Sequence, residues 1–250
     1  MGKTIDIRTD VPTDWITVAA AEERHQRMGE LFRQLGFVQT RQVNGVLIDK
    51  RGKPFMQIQR EKSHEVAVSH VEALRRPGPI LILEDDVWPT AAFAPVLQDI
   101  PDDADAVYLG SSIYGMVDGV STEGGTRFEA VDPQWDRPLN MLGIHAVLYL
   151  TERYKRATVA NLLAARDRGM YCDEPVAIEM RNHRVYATAR PMLYQRDGHN
   201  DQVTSMPLRM LRPEVVVPAA RARAPSTGGW ASCVPGGMAD PARPRATTFL

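Results

Sequence analysis

A short apolar run that ends in three consecutive acids is the feature that most constrains the fold of this chain. Residues 80–83 are Ile-Leu-Ile-Leu, they follow the Pro-Gly-Pro turn of residues 77–79, and Glu84, Asp85 and Asp86 come directly after them. An apolar run of this length between turn residues predicts a strand that is buried on both faces. Adjacent carboxylates repel one another and lose hydration, so they are most stable beside a cation or a water-filled crevice. Open α/β sheets have ligand crevices at this end of a strand, and oxygen ligands suit Mg²⁺ or Mn²⁺ with a phosphate-bearing substrate.

The segments around this run alternate between strand and helix patterns. An apolar stripe predicts a helix over Glu22–Leu35 that ends at Gly36, between strands at residues 15–20 and 37–43. A weaker helical pattern over residues 63–76 precedes the acidic strand. This βαβα order predicts an α/β fold with a doubly wound sheet of parallel strands. Later predicted elements are strands at residues 106–109, 143–150 and 185–189, a helix over residues 151–167 capped by Thr151, and a further helix that begins near Pro175.

Two stretches lack apolar periodicity. Residues 111–141 are rich in glycine, which predicts a long functional loop or lid. Residues 213–250 are rich in Pro, Ala, Gly and Arg, which predicts a disordered tail. We therefore expect one domain over residues 1–212, followed by that tail.

The composition excludes several classes of protein. The formal net charge is -1, so there is no global attraction for nucleic acid or anionic lipid. Cys172 and Cys233 form no zinc or CxxC spacing and indicate a reducing compartment. No apolar run approaches the roughly 20 residues of a membrane span, and we expect a cytoplasmic protein without a membrane span.

Several short segments follow one another in an order that a known family shares. They are the strand and Arg-bearing helix of Trp15-Ile16-Thr17-Val18 and Glu23-Arg24-His25-Gln26-Arg27-Met28, the pair Ser69-His70, the strand end Leu83-Glu84-Asp85-Asp86, Gly143-Ile144-His145-Ala146-Val147-Leu148-Tyr149, Tyr171-Cys172-Asp173, and Arg190-Pro191-Met192-Leu193-Tyr194-Gln195. Together, over roughly residues 14–205, this ordered set resembles glycosyltransferase family 25, the lipopolysaccharide and collagen galactosyltransferase-like enzymes.

The resemblance implies a GT-A-type single-domain fold, which is a Rossmann-like mixed sheet flanked by helices. It implies a metal-dependent, inverting glycosyltransferase that moves a sugar from a nucleotide-diphosphate donor, a UDP-sugar, to a hydroxyl of a glycan or lipopolysaccharide-like acceptor. Asp86 would ligate the Mn²⁺ or Mg²⁺ ion. Glu84 and Asp85 would bind the donor ribose or position the metal through water, and Arg24 would pair with the pyrophosphate or stack on the base.

The remaining candidate site residues lie near the end of the pattern. His199 follows the last predicted strand, where an imidazole would add a metal or phosphate contact and favour Mn²⁺. Asp173 or Glu174 is the candidate general base, and the resemblance favours Asp173. His70 and His145 lie within apolar elements, which predicts buried, hydrogen-bonded structural roles.

The acidic residues are also compatible with purely structural roles that involve neither catalysis nor metal binding. The acidic triplet is compatible with a turn that caps a helix beginning near Thr90, and Asp173 and Glu174 with simple stabilisation of a helix amino terminus before Pro175.

Two other functions remain open at this point. One is a non-catalytic nucleotide-sugar or glycan-binding protein on the same scaffold. The other is a transferase whose acceptor is a modified base in DNA, with the tail arginines Arg221, Arg223, Arg243 and Arg245 contacting phosphate. In that case nucleic acid is a partner only as the acceptor.

Overall fold

The computed structural model describes residues 2–195 of the chain. Its helices are α1 (Glu22–Leu35), α2 (Phe55–Leu74), α3 (Glu152–Asp167) and α4 (Asp173–Glu179), and a short 3-10 helix follows at Met180–Asn182. Its strands are β1 (Lys3–Asp6), β2 (Thr13–Val18), β3 (Thr40–Gly45), β4 (Ile80–Glu84), β5 (Val87–Pro89), β6 (Val96–Ile100), β7 (Ala106–Tyr108), β8 (Gly115–Val117), β9 (Val120–Thr122), β10 (Phe128–Ala130), β11 (Trp135–Pro138), β12 (Ala146–Tyr149), β13 (Val185–Thr188) and β14 (Leu193–Gln195). His199 and the predicted tail lie outside the described residues, so the division at residue 212 stays a prediction.

The central sheet is mixed, as the predicted GT-A-type fold class requires. Within residues 2–195 it contains eight strands in the order β10-β11-β13-β7-β12-β4-β2-β3. Strands β3, β2 and β4 are parallel, and β13 is parallel to β7. Strand β12 is antiparallel to both of its neighbours, and β11 is antiparallel to β13. The expectation of wholly parallel strands is therefore wrong, because apolar periodicity fixes which faces are buried and not the direction in which a strand runs.

The strand β4 is buried on both faces because its side chains alternate between two apolar layers. Ile80 and Ile82 pack into the core that contains residues of α2, α3 and α4. Leu81 and Leu83 pack into the opposite core, with Met28 and residues of β1 and β6. Each of the four side chains is at most 2% exposed. The apolar run thus forms the centre of the sheet and holds the acids at its edge.

Local signals place several elements where the sequence predicts them. Helix α1 ends at Gly36, which adopts the left-handed conformation with φ of 80°. Helix α3 begins after Thr151, whose side chain accepts a hydrogen bond from the Tyr154 amide. Helix α2 begins at Phe55, earlier than the predicted residue 63, and Phe55 is itself 70% exposed.

The long loop predicted over residues 111–141 is wrong in part, because this segment contains β8, β9, β10 and β11. The first two form an antiparallel hairpin, and β10 and β11 join the edge of the central sheet. These strands have three or four residues each, which is too short to give a recognisable alternation in the sequence.

None of the helices in the described part of the chain has both the length and the apolar composition that a membrane crossing demands.

Candidate functional site

The three acids lie at the carboxyl end of β4, between β2 and β12. Ile16 of β2 is opposite Glu84 in the parallel ladder, and the Glu84 amide donates to the His145 carbonyl oxygen at 2.8 Å. A strand, β5, follows the acids, and no helix begins near Thr90 within the described residues. The Thr90 hydroxyl instead donates to the Pro191 carbonyl oxygen. The helix-capping interpretation of the triplet is therefore wrong.

The carboxylate of Asp85 is already bound by two side chains of this protein. Arg24 Nη1 lies 2.6 Å from Oδ1, and Thr17 Oγ1 donates to Oδ2 at 2.5 Å. The Asp85 side chain is only 8% exposed. In this structure Asp85 holds Arg24, and through it α1, against the acidic turn.

A second arginine of α1 also secures this turn. Arg27 donates to the carbonyl oxygens of Asp85 and Val87, and its guanidinium lies over the Trp88 ring at 4.8 Å from the ring centre. Arg24 and Arg27 are three residues apart, so they share the face of α1 that meets the turn, while Met28 is buried in the core.

Glu84 and Asp86 share a hydrogen-bond donor. Gln195 Nε2 lies 3.1 Å from Glu84 Oε2 and 3.0 Å from Asp86 Oδ2. The other oxygen of Glu84 is 3.1 Å from Nε2 of the buried His70. Asp86 Oδ1 is buried and has no partner among the described residues.

The surroundings of Glu84 and Asp86 shift the pKa values of these two acids in opposite directions. Burial raises the pKa of Asp86 to about 8, and the nearby charges of Glu84 and Asp85 add to the rise. Burial also acts to raise the pKa of Glu84, but the hydrogen bond from His70 and the nearby charges of His70, His145 and Arg24 outweigh it, so that this pKa is lowered. Negative charge in the pair is therefore concentrated on Glu84.

A cleft of about 510 Å³ opens beside Glu84 and Gln195. Asp173 and Glu174, at the start of α4, line the same cleft, and so does His145. The fold thus brings Glu84, the first acid of the predicted strand end, and the predicted base Asp173 into the lining of one cleft.

Asp173 has one oxygen anchored by the backbone. The amide of Gly143 donates to its Oδ2 at 2.9 Å. Burial raises the pKa of Asp173 to about 6, and the Gly143 hydrogen bond opposes this rise. Glu174 Oε2 accepts from the Tyr171 amide at 2.9 Å, so Glu174 is used to stabilise the local turn. The structure distinguishes the two acids, and Asp173 has the pKa that suits proton transfer near neutral pH.

His70 and His145, which the sequence predicts to be buried and hydrogen-bonded, differ in their hydrogen bonding. His70 is hydrogen-bonded to Glu84, as a structural role requires. His145 is 4% exposed and neither of its ring nitrogens has a partner among residues 2–195. Burial lowers the pKa of His145, which favours the neutral form of its ring.

A glycine makes the position of His145 possible. A Cβ atom added at Gly110 would lie 2.2 Å from His145 Nε2, closer than any non-bonded contact. Gly110 is thus required for the ring to occupy its place beside the cleft.

Two side-chain contacts of the acids could not be predicted from the sequence. Thr17 bonds Asp85 from 68 residues away, and Gln195 bonds Asp86 from 109 residues away. Neither residue type signals such a contact, and only the pairing of β14 with β5 brings Gln195 to the acids.

Glu84 and Asp86 at the strand end suit a divalent cation that takes most of its ligands from water and substrate phosphates. In the described part of the chain, no group of three or more His, Cys, Asp or Glu side chains is placed to hold a metal ion. Mg²⁺ commonly binds through one or two carboxylates together with water and substrate phosphates. The unpartnered Oδ1 of Asp86 and the neighbouring Glu84 meet that requirement, whereas Asp85 is occupied by Arg24 and Thr17. His199 lies outside the described residues.

Comparison with known proteins identifies no family for this chain. No family model and no curated protein matches this chain. Among solved structures, CTP:phosphocholine cytidylyltransferase from Streptococcus pneumoniae is similar, with a TM-score of 0.40 and 11% sequence identity, over 78% of this chain and 76% of that one.

Proposed function

We propose that this protein is a glycosyltransferase that moves a sugar from a nucleotide diphosphate to an acceptor hydroxyl. The observation that carries the proposal is the cleft that Glu84, at the acidic strand end, and Asp173 both line. The sequence resemblance to glycosyltransferase family 25 supports the same chemistry, since its motifs fall on these residues.

The donor side of the cleft is the carboxyl end of β4. Glu84 and Asp86 are the residues that would hold Mn²⁺ or Mg²⁺, and a cation held there supplies positive charge to a departing diphosphate. Arg24 lies beside the acids, with its side chain 39% exposed, and its guanidinium suits a phosphate or the face of a base.

The acceptor side is the wall formed by α4. Asp173 accepts the proton of the acceptor hydroxyl as the oxygen forms its bond to the anomeric carbon. The bond from that carbon to the diphosphate oxygen breaks in the same step, and its electron pair leaves with the nucleotide diphosphate. One displacement of this kind inverts the anomeric configuration. Gly143 contributes by fixing the orientation of the Asp173 carboxylate.

Donor binding is the first test. A panel of nucleotide sugars is screened by thermal shift with and without Mn²⁺, because a ligand that binds only the native state raises the melting temperature. We expect one donor, a UDP-sugar, to give a shift that depends on the cation and disappears in Asp86→Asn.

Catalysis is the second test. With that donor, release of the nucleoside diphosphate is followed in the wild-type protein and in Asp173→Asn. Turnover that falls at least about a thousand-fold, with donor binding retained, supports the proposed base. Donor binding without any release of diphosphate, over a broad panel of glycan acceptors, would instead identify a binding protein.

A further inference from the structure

The amide nitrogen of Gln195 occupies a position between two carboxylates. It donates to Glu84 Oε2 at 3.1 Å and to Asp86 Oδ2 at 3.0 Å. A primary amide nitrogen carries two hydrogens, so it can serve one oxygen of each acid at the same time. A small group with positive partial charge thus bridges the two acidic side chains.

The backbone fixes this amide in place. Gln195 belongs to β14 and is paired with Val87 of β5, which directly follows the acidic triplet. The pairing of β14 with β5 therefore places the Gln195 backbone beside the acids, and the side chain reaches both carboxylates from there. The bridge does not satisfy the site fully, because Asp86 Oδ1 is buried and has no partner in the described part of the chain.

We propose that Gln195 competes with a divalent cation for Glu84 and Asp86. This inference rests on the proposed function, in which these two acids hold the metal. A cation that bridges the two acids needs the space between Glu84 Oε2 and Asp86 Oδ2 that the amide nitrogen occupies, and its charge repels the amide hydrogens. Binding of a bridging cation therefore displaces the amide, and Gln195 raises the cation concentration at which the site fills.

Gln195→Met tests the competition, because methionine has a similar length and no N–H group. Mn²⁺ affinity is measured by electron paramagnetic resonance of the free ion, with and without UDP. Hydrogen bonds to charged groups contribute enough that losing two of them should tighten Mn²⁺ binding about ten-fold or more. We also expect the metal-free variant to melt at a lower temperature than wild type, and Mn²⁺ to raise its melting temperature by a larger amount.

The control is Gln34→Met. Gln34 donates to Glu30 at 2.8 Å on the exposed face of α1, so this variant loses the same kind of bond far from the acids. Its Mn²⁺ affinity should equal that of wild type. Gln195→Glu provides a second variant that removes the donor and should also tighten Mn²⁺ binding.

The outcomes separate the inference from the proposed function. Binding that is present in wild type, absent in Asp86→Asn, and unchanged or weaker in both Gln195 variants overturns the competition and leaves the metal site intact. If wild type binds neither Mn²⁺ nor Mg²⁺, even with UDP present, both the competition and the metal-dependent transferase are overturned.

Discussion

Arg24 Nη1 lies 2.6 Å from Asp85 Oδ1, and this ion pair fastens the first long helix to the acidic end of the central strand. The other oxygen of Asp85 accepts a hydrogen bond from Thr17, so both oxygens of the carboxylate have a partner within the protein. Of the three consecutive acids, the middle one thus stabilises the site, and the outer two lie beside Gln195.

Removing Arg24 should destabilise the fold, because within residues 2–195 it leaves the buried Asp85 carboxylate with Thr17 as its side-chain donor. Losing one partner of a fully buried ion pair typically lowers the free energy of unfolding by about 3–5 kcal/mol. Because Arg24 is partly exposed, we expect Arg24→Ala to lower it by about 1–3 kcal/mol. Urea unfolding at pH 7 gives the value. Arg75→Ala is the control, since Arg75 and Glu72 form an exposed ion pair, and it should change the stability by less than about 0.5 kcal/mol. Equal effects of the two substitutions would contradict a structural role for the Arg24–Asp85 pair.

The activity should depend on the ionisation of Asp173. A base must be deprotonated to accept a proton, and burial raises the pKa of this carboxyl to about 6. At a saturating concentration of the cation, we expect kcat/KM to be constant above about pH 7 and to fall ten-fold per pH unit well below 6. Glu174→Gln should keep most of the activity and the same profile, because a glutamine retains an acceptor for the Tyr171 amide. A profile that changes with Glu174 and not with Asp173 would assign the base to the other acid.

The same raised pKa predicts that Asp173 lowers the stability of the protein. The ordinary pKa of 3.8 applies to the unfolded chain and about 6 to the folded one. The carboxyl favours folding below pH 4, and this contribution is lost as the pH rises through 6, because the unfolded state releases its proton first. Asp173→Asn should therefore be more stable than wild type at pH 7.5, by about 1–3 kcal/mol, and the difference should shrink towards pH 4. Chemical denaturation at the two pH values measures it. A variant that is less stable at both values would show that the ionised carboxylate is favourable in the fold.

Local signals in the sequence were sufficient for several elements of the fold. Helix α1 over Glu22–Leu35 and its end at Gly36 follow from an apolar stripe and one glycine, and Thr151 marks the start of α3. The acidic strand end is equally local, because residues 80–86 contain both the buried strand and the carboxylates.

Relationships between distant segments could not be read in the same way. The direction of β12 depends on the path of the preceding chain, and the strands β8 to β11 are too short to produce a period. The partners of the acids were hidden for the same reason, since Gln195 reaches Asp86 only through the pairing of β14 with β5. The commitment of Asp85 to Arg24 and Thr17 likewise depends on the position of α1 against β4.

Two glycines should respond to the same substitution in opposite ways. A Cβ at Gly110 would fall 2.2 Å from His145 Nε2 and 3.0 Å from the Leu193 carbonyl oxygen, so Gly110→Ala must displace the ring or the backbone. Overpacking of this kind typically costs about 1–3 kcal/mol, and the displaced ring should also weaken ligand binding in the cleft. A Cβ at Gly29 meets no atom within 4 Å, and Gly29 lies within α1, where alanine is favoured over glycine by about 0.5–1 kcal/mol. Thermal and urea unfolding should give Gly29→Ala a higher melting temperature and free energy of unfolding than wild type. Both quantities should be lower than wild type for Gly110→Ala. If Gly110→Ala were as stable as wild type, His145 would have room to leave the wall of the cleft, and its present position would not be imposed by the fold.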